Sequence, residues 1–384
     1  MTVRGHIVKR GNKYSYVIDI GRDPVTKKRK QKRVSGFTSE KKARKAMIDM
    51  IAELNKGTYT EPTTKKLSDY LDDWLKFKEK RVAHSTYLHY EGYINNHVKP
   101  ALGNIKVADL TTQQVEKFYD SLLDNETLSP RSIHHIHRIL SNAISRGATI
   151  GEIPRNIMEA VEPVKVPKNE MKYWAMSTLN NFLTSTMQET YFIAWYLAAF
   201  TGMRQGEILG LKWDSVDLEN KVIHVRRALK REKGEYVIAE LKNNPSYRSI
   251  AISDTDVFTI KKHMKNQEKH KLKIGDSYID NDLVVATAAG THILPSNLGR
   301  AFRRCLDQTG VEKIRFHDLR HTHASMLFSL KVHPKIVQER LGHSSIQVTL
   351  DRYSHMLPNM QEAVAQSLET AFKKEVEKSN VNSL

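Results

Sequence analysis

The stretch ERLGHSSIQVTLDRYSH, residues 339–355, holds the reading on which the rest of the chain turns. Leu341-Gly342 closes a helix that begins near Pro334, with the glycine suited to a left-handed C-terminal cap. Ser344 and Gln347 have the spacing of a capping box, which predicts a second helix and puts His343 in the tight turn between the two. Tyr353 then falls near the end of that second helix, ahead of a stop at Pro358. A His and a Tyr at neighbouring helix ends can be packing residues, or a proton donor and a nucleophile converging on one point.

Composition narrows the choice. The 384 residues suffice for two or three domains, and hydrophobic and charged contents of 40% and 27% are those of a globular protein. The single Cys305 excludes an intramolecular disulfide and a thiolate metal cluster, and suits a reducing cytoplasm. The N-terminus lacks the apolar core of a signal peptide, and the longest apolar run, YFIAWYLAAF at 191–200, is about half of a membrane span. That run reads as a buried helix in a protein of the cytoplasm, with no membrane partner.

Lys and Arg number 61 against 43 Asp and Glu, a formal net charge of +18. Residues 1–60 hold 16 basic and 5 acidic side chains, so 16 − 5 = +11 of that charge lies in under a sixth of the chain. Such concentration points to a polyanion as partner, DNA or RNA above all.

Three segments follow from the pattern. KYSYVIDI (13–20) alternates as a strand, GRDPVTKK is a turn, and RKQKRVSGF is a second, very basic strand. A helix capped by Thr38 or Ser39 runs on to Gly57, completing a small sheet-plus-helix unit. After the linker TYTEPTTKK the pattern turns helical. Leu67, Tyr70, Leu71, Trp74 and Leu75 form one buried stripe, Ser85 can cap the next helix, Thr111 and Gln114 make a capping box, and Ser129-Pro130 opens another helix. The expectation is a bundle of roughly four helices. His134, His135 and His137 lack carboxylate or Cys companions at ligand spacing, so a polar helix face is preferred to a metal site. EPVKVPKNE (162–170) suits a second linker. Beyond it, KVIHVRRAL, EYVIAEL and YRSIAIS predict a three-stranded antiparallel sheet inside a mainly helical domain.

Two further stretches carry chemistry. TGMRQGEILGLKW puts Arg204 just after Gly202, at a helix start that favours an anion, with Glu207 three residues on to orient the guanidinium. RFHDLRHTHAS places His317 and Arg320 on one helix face, with Asp318 anchoring the helix start. The i, i+4 pair His317 and His321 lacks the internal Glu of a zinc-protease pattern, which argues against metal there, with or without His323.

In order, TGMRQGE, HDLRHT, LGHSS and DRYSH match the catalytic boxes of the tyrosine recombinases, and the chain resembles the phage-integrase family over its whole length. The resemblance implies a multidomain, mainly α protein with small antiparallel sheets. Residues 1–60 would be an arm-type DNA-binding domain of small β-sheet plus helix, with Lys27, Lys28, Arg29, Lys30, Lys32 and Arg33 on DNA. Residues 65–162 would be a helical core-binding bundle, and 170–384 a mixed α/β catalytic domain with a C-terminal helix.

The chemistry asks for these residue types. Phosphodiester cleavage passes through a transition state more anionic than its substrate, which two guanidiniums, Arg204 and Arg320, can neutralise with fixed fork geometry. By resemblance, His317 is the general base and His343 donates a hydrogen bond to the phosphate. Tyr353 attacks and becomes linked to a DNA 3′-phosphate. The leaving 5′-oxygen takes a proton from a Lys on a sheet turn. Lys242 matches best, although Asn follows it where the family has Thr, which keeps Lys230 and Lys233 as candidates. The phosphotyrosyl bond conserves energy, so no cofactor, nucleotide or metal ion is called for, in line with the absence of a P-loop motif and an acidic ligand cluster in the sequence.

The implied partners are double-stranded DNA with core and arm attachment sites, three further copies in a tetramer, and an excision factor. The C-terminal segment, with Met360, Val364, Leu368 and Phe372 at helical spacing, would dock on a neighbouring protomer. A type IB topoisomerase shares the nucleophile but has no use for an arm-binding domain. A non-catalytic DNA-binding regulator would tolerate gaps in a constellation that is complete here. The extra N-terminal unit favours an integrase of a phage or integrative conjugative element over a simple dimer-resolution recombinase.

Overall fold

The computed structural model describes residues 4–22, 27–55, 63–167, 171–232, 234–241, 247–353, 365–366 and 368–373. Contacts divide the chain into two compact units, Met1–Lys168 and Asn169–Leu384. Among the described residues, no helix is long and apolar enough to cross a membrane.

The first unit opens with a three-stranded antiparallel sheet in the order β1 (Gly5–Arg10), β2 (Lys13–Arg22), β3 (Arg29–Phe37), followed by α1 (Glu40–Asn55). The strand before KYSYVIDI went unread in the sequence because GHIVKR has only two apolar residues to reveal it. Ser39 caps α1 by accepting from the Lys42 amide at 3.3 Å, and α1 covers one sheet face through Met47 against Tyr16 and Ile18. Val34 packs on that same face, so by strand alternation Arg29, Gln31 and Arg33 lie on the uncovered one.

The helical part contains α2 (Leu67–Glu79), α3 (His84–Tyr93), α4 (Lys99–Leu102), α5 (Thr112–Asp124) and α6 (Pro130–Thr149). The stripe Leu67, Tyr70, Leu71, Trp74, Leu75 is buried as its spacing predicts, against Ile133, Ile136 and Leu140 of α6. The Thr111–Gln114 capping box and the Ser129 cap both form. Ser85 does not cap α3. The helix begins one residue earlier, at His84, with Ala83 in extended geometry. Between α3 and α4 the helix widens to a π turn over Ile94–Val98, because Pro100 has no amide to offer the carbonyl four residues back.

The second unit is built on α8 (Phe192–Thr201), buried almost all round as the apolar run requires. Around it stand α7 (Met176–Ser185), α10 (Asp254–Ile274), α11 (Pro295–Thr309) and α12 (Asp318–Ser329), with a core centred on Trp195, Phe182 and Phe302. The expected three-stranded sheet is two sheets. Strands β4 (Val216–Asp217), β5 (Val222–Val225) and β8 (Arg248–Ala251) form one, and β6 (Arg227–Glu232) with β7 (Glu235–Glu240) a separate hairpin. The run KVIHVRRAL breaks at Arg226, and β6 leaves β5 to pack on α9 (Gln205–Leu209). Gly206 and Gly210 of that turn permit the approach, since a Cβ on either would come within 2.8 Å of the Leu229 backbone.

The last described helices are α13 (Pro334–Leu341) and α14 (Ile346–Tyr353). Gly342 takes the predicted left-handed conformation at φ 65°. Ser345, not Ser344, faces the α14 amides, accepting from Val348 at 3.4 Å, because the helix starts a residue later than the capping-box spacing suggested. Gly57, Lys233, Lys242, Pro358, Met360 and Val364 lie outside the described residues.

Leu140 is fully buried in the helical unit. Leu140→Ala should destabilise it by about 2–5 kcal/mol, while Lys80→Ala at the exposed end of α2 should stay within about 0.5 kcal/mol. Chemical denaturation of the full chain, followed by far-ultraviolet circular dichroism, measures both.

Candidate active site

Two helices end facing the same point. α8 ends at Gly202 and α13 at Gly342, both left-handed at φ 65°, so each chain reverses and leaves backbone carbonyls exposed at its end. Arg320, on the first turn of α12, spans the two ends. One guanidinium nitrogen donates to the Gly202 carbonyl and the other to the Leu341 carbonyl, each at 2.6 Å. Burial, then the charges of Arg204 and Arg248, push its pKa down to about 9, which still leaves it charged at neutral pH.

Arg204 sits at the head of α9 and donates to the Gly342 carbonyl at 2.7 Å and to Glu207 Oε1 at 2.8 Å. Glu207, as the spacing suggested, orients it, and also accepts the Arg204 backbone N–H at 2.8 Å. The carboxylate is shared with a third cation that the sequence reading missed. Arg248 of β8 donates to Glu207 Oε2 at 2.7 Å and to the Arg340 carbonyl at 2.8 Å. Burial on its own would push the Glu207 carboxyl up. Hydrogen bonding to Arg248 and its charge, with Arg204 adding to both effects, outweigh burial and hold it at about 2.

The histidines divide sharply. His343 is buried in the α13–α14 turn, where its Nδ1 meets the Thr349 hydroxyl at 2.8 Å and its backbone N–H donates to Gln338. His317 is exposed at the start of α12, with its ring edge-on to that of His321 at 5.2 Å. His321 is 6% exposed, and its Nδ1 lies 2.6 Å from the Tyr353 hydroxyl. His323 is taken up elsewhere, with Nδ1 on the Ala199 carbonyl at 2.8 Å and Nε2 accepting from Arg340 Nε at 3.0 Å. Burial, then the charge of Arg340, drive its pKa to about 3, so it is a neutral packing histidine. Asp318 anchors the start of α12 by accepting the Arg315 amide and guanidinium at 2.8 and 2.7 Å.

Tyr353 ends α14 at 1% exposure, its ring 5.5 Å from Phe328. Were it ionised, its phenolate would raise the Arg320 pKa, so the phenol lies within electrostatic reach of the arginine cluster. Five of the six residues read as catalytic, Arg204, His317, Arg320, His343 and Tyr353, thus share one site or its rim. The sixth, Lys242, is outside the described residues, as is Lys233. Lys230 lies on β6 with its ammonium donating to the Glu240 carbonyl at 2.8 Å.

A model of the phage integrase family matches residues 173–360. The N-terminal SAM-like domain of phage integrases matches 66–123, and an arm DNA-binding domain matches 6–54. The chain belongs to the phage integrase family of tyrosine recombinases. It carries a tyrosine-type integrase catalytic domain together with the family's two N-terminal domains. It is 27% identical to a XerC-like tyrosine recombinase of Caldanaerobacter subterraneus subsp. tengcongensis, over 97% of this chain and 100% of that protein. To the ICEBs1 integrase of Bacillus subtilis it is 25% identical, over 94% of this chain and 99% of the relative. Among solved structures it is similar in fold to the Tn1549 transposon integrase in complex with transposon right end DNA. That match has a TM-score of 0.67 at 21% identity, over 80% of this chain and 99% of the other. A lambda integrase dimer bound to a COC′ core site matches with a TM-score of 0.55 at 19% identity, over 90% and 93% of the two chains.

The balance of charge around Glu207 makes its protonation measurable. Its folded pKa of about 2 lies below the ordinary 4.5, so its stabilisation is complete above about pH 4.5 and lost as pH falls toward 2. The difference is worth about 3 kcal/mol. Glu207→Gln should lose that stability at neutral pH and flatten the acid limb of a stability–pH curve, as read by denaturant midpoints from pH 7 to 2.5.

Proposed function

We propose that this tyrosine recombinase is the integrase of a phage or integrative conjugative element, which inserts the element into host DNA and excises it again. Tyr353 would attack the scissile phosphate and form a 3′-phosphotyrosyl bond as the 5′-oxygen leaves. The observation that carries the reading is the arginine cluster at the paired ends of α8 and α13, close to a tyrosine. Arg204 and Arg248 share one carboxylate, Glu207, while Arg320 is held by the Gly202 and Leu341 carbonyls, so the site holds an excess of fixed positive charge suited to a phosphate.

Roles follow from position. Arg204 and Arg320 clamp the non-bridging oxygens, and His343, set rigidly by Thr349, adds a hydrogen bond. His317 is exposed at the rim, where DNA would meet it, as the base that the resemblance suggests. Lys242 protonates the leaving 5′-oxygen. The displacement exchanges one phosphodiester for another of similar energy, so rejoining needs no nucleotide cofactor.

The proposed division of labour is 1–60 for arm DNA, 65–162 for core DNA and 170–384 for chemistry. Arg29 and Arg33, both exposed on the uncovered sheet face, support the arm assignment, with Lys27, Lys28, Lys30 and Lys32 around them. In the helical part, a cleft of about 1130 Å³ is lined by Lys78, Arg81, Arg138 and Arg146. The Arg81 and Arg146 guanidiniums lie 3.8 and 3.5 Å from the Phe77 ring centroid, stacked and pre-oriented for a DNA backbone or base edge. Leu368 and Phe372 are exposed on the described part of the C-terminal segment, which supports docking of that segment on a neighbouring copy in a DNA-bound tetramer.

Tyr353→Phe should keep core-DNA binding and form no covalent adduct on a nicked suicide duplex, as seen by denaturing gel. Adduct formation by the variant would refute the nucleophile. Deleting residues 1–60 should abolish arm-site binding yet spare core-site cleavage. Intact arm binding should weaken with a slope of roughly −5 in log affinity against log salt, as neutralisation of ~6 phosphates requires. Mobility shifts on separate arm and core duplexes at several salt concentrations measure this.

A further inference from the structure

The nucleophile has a partner to which the catalytic reading gives no part. We propose that His321 is a catalytic residue, the group that accepts the proton of the Tyr353 hydroxyl as it attacks DNA; this rests on the recombinase reading above. The His321 ring nitrogen Nδ1 stands 2.6 Å from the phenolic oxygen, the distance of a strong hydrogen bond already aligned for transfer. Phe328 packs against the phenol at 5.5 Å, and both partners are nearly excluded from solvent, so the pair is held by its surroundings.

The neighbouring histidines are placed for other tasks. His323 has both ring nitrogens occupied by Ala199 and Arg340, and His343 Nδ1 is engaged by Thr349. His317, the base that the resemblance suggests, lies one helical turn before His321, exposed and edge-on to it at 5.2 Å, so it stands behind His321 and the direct acceptor at the phenol is His321. Arg320 is within electrostatic reach of Tyr353, and Asp318 of His321.

His321 starts as the neutral tautomer with its proton on Nε2 and Nδ1 accepting. The Tyr353 oxygen bonds to phosphorus, its proton passes to Nδ1, and the bond from phosphorus to the 5′-oxygen breaks. The leaving oxygen takes its proton from the lysine general acid. On rejoining, the 5′-hydroxyl gives its proton back to the lysine as its oxygen attacks the phosphotyrosine, the bond from phosphorus to the tyrosyl oxygen breaks, and the imidazolium returns its proton to the departing phenolate.

The test uses the full chain and a nicked duplex bearing the core site read from sequenced integration junctions. His321→Asn keeps a polar group near Nδ1 but cannot take the proton. It should bind the duplex within about threefold of the parent while single-turnover cleavage falls by about 10²–10⁴-fold. The same deficit should persist on a duplex with a 5′-bridging phosphorothiolate, whose sulfur leaves without an acid. Added imidazole should restore His321→Ala at least about tenfold. Cleavage by His321→Asn within about threefold of the parent would overturn the proposal. So would a deficit that vanishes on the phosphorothiolate, which would assign His321 to the leaving group. Should both variants fail to bind DNA, ¹⁵N-histidine spectra of the parent and of Tyr353→Phe decide. An unprotonated His321 Nδ1 that shifts on loss of the phenol supports the role, and a protonated Nδ1 in the neutral ring refutes it. A parent chain that forms no tyrosyl adduct refutes the recombinase reading itself, a result separate from any failure of His321 alone.

Discussion

The site depends on two helices ending at the same place. At the ends of α8 and α13 the backbone turns left-handed at Gly202 and Gly342, and carbonyls without helical partners face one another. A carbonyl at a helix C-terminus carries partial negative charge, enough to hold a guanidinium but not to neutralise it. Arg320 is therefore fixed by dipoles, with its full charge retained, whereas Arg204 is held by a carbonyl and by the Glu207 carboxylate together. Carboxylates in place of the two carbonyls would have held Arg320 as firmly and cancelled its field. A side chain at residue 202 is also barred sterically, since its Cβ would come within 2.7 Å of both His323 and Leu341.

Glu207 sets how much charge is left over. A buried carboxylate between Arg204 and Arg248 satisfies the side of the cluster that faces the protein. Breaking such a pair strands an uncompensated buried charge, which is far more destabilising than the pair is stabilising. The cluster consequently ties α9, β8 and the end of α13 into one rigid assembly, because Arg248 also holds the Arg340 carbonyl. Arg340 in turn donates to His323, to Phe200 and to Ala251, so each helix end is fixed from behind as well as from the site. Rigidity of this kind is what electrostatic preorganisation requires.

One residue type serves four purposes within thirty positions. His317, His321, His323 and His343 differ not in chemistry but in burial and in the neighbours seen here: the edge of another imidazole, a phenol, a carbonyl with an arginine, and a threonine hydroxyl. The proton inventory of the site is written in those partners. The i, i+4 spacing of His317 and His321 puts them on one face of α12, and Tyr353 reaches that face from α14 with the chain reversal at Gly342 between them.

Much of this was legible in the sequence because it rests on local rules. The buried run at 191–200, the stripe from Leu67 to Leu75, the caps at Thr111 and Ser129 and the left-handed Gly342 are each set by spacing within a few residues. So was the order of the four boxes, and with it Arg204, Glu207, His317, Arg320, His343 and Tyr353 as candidates. What the sequence could not show was pairing across distance. Arg248 sits in an alternating strand like any exposed arginine, and only the fold brings it 41 residues back onto Glu207. The run 221–229 reads as one strand because alternation continues through Arg226, yet two sheets compete for its halves and the close approach of α9 claims the second. In the sequence His321 stood out only as half of an i, i+4 histidine pair that lacks the Glu of a zinc-protease pattern, and α14 sets a phenol against it. Local spacing determined which side chains the chain carries to each helix end; tertiary structure alone decided which ends meet, because long-range contacts depend on the packing of whole elements and leave no period in the sequence.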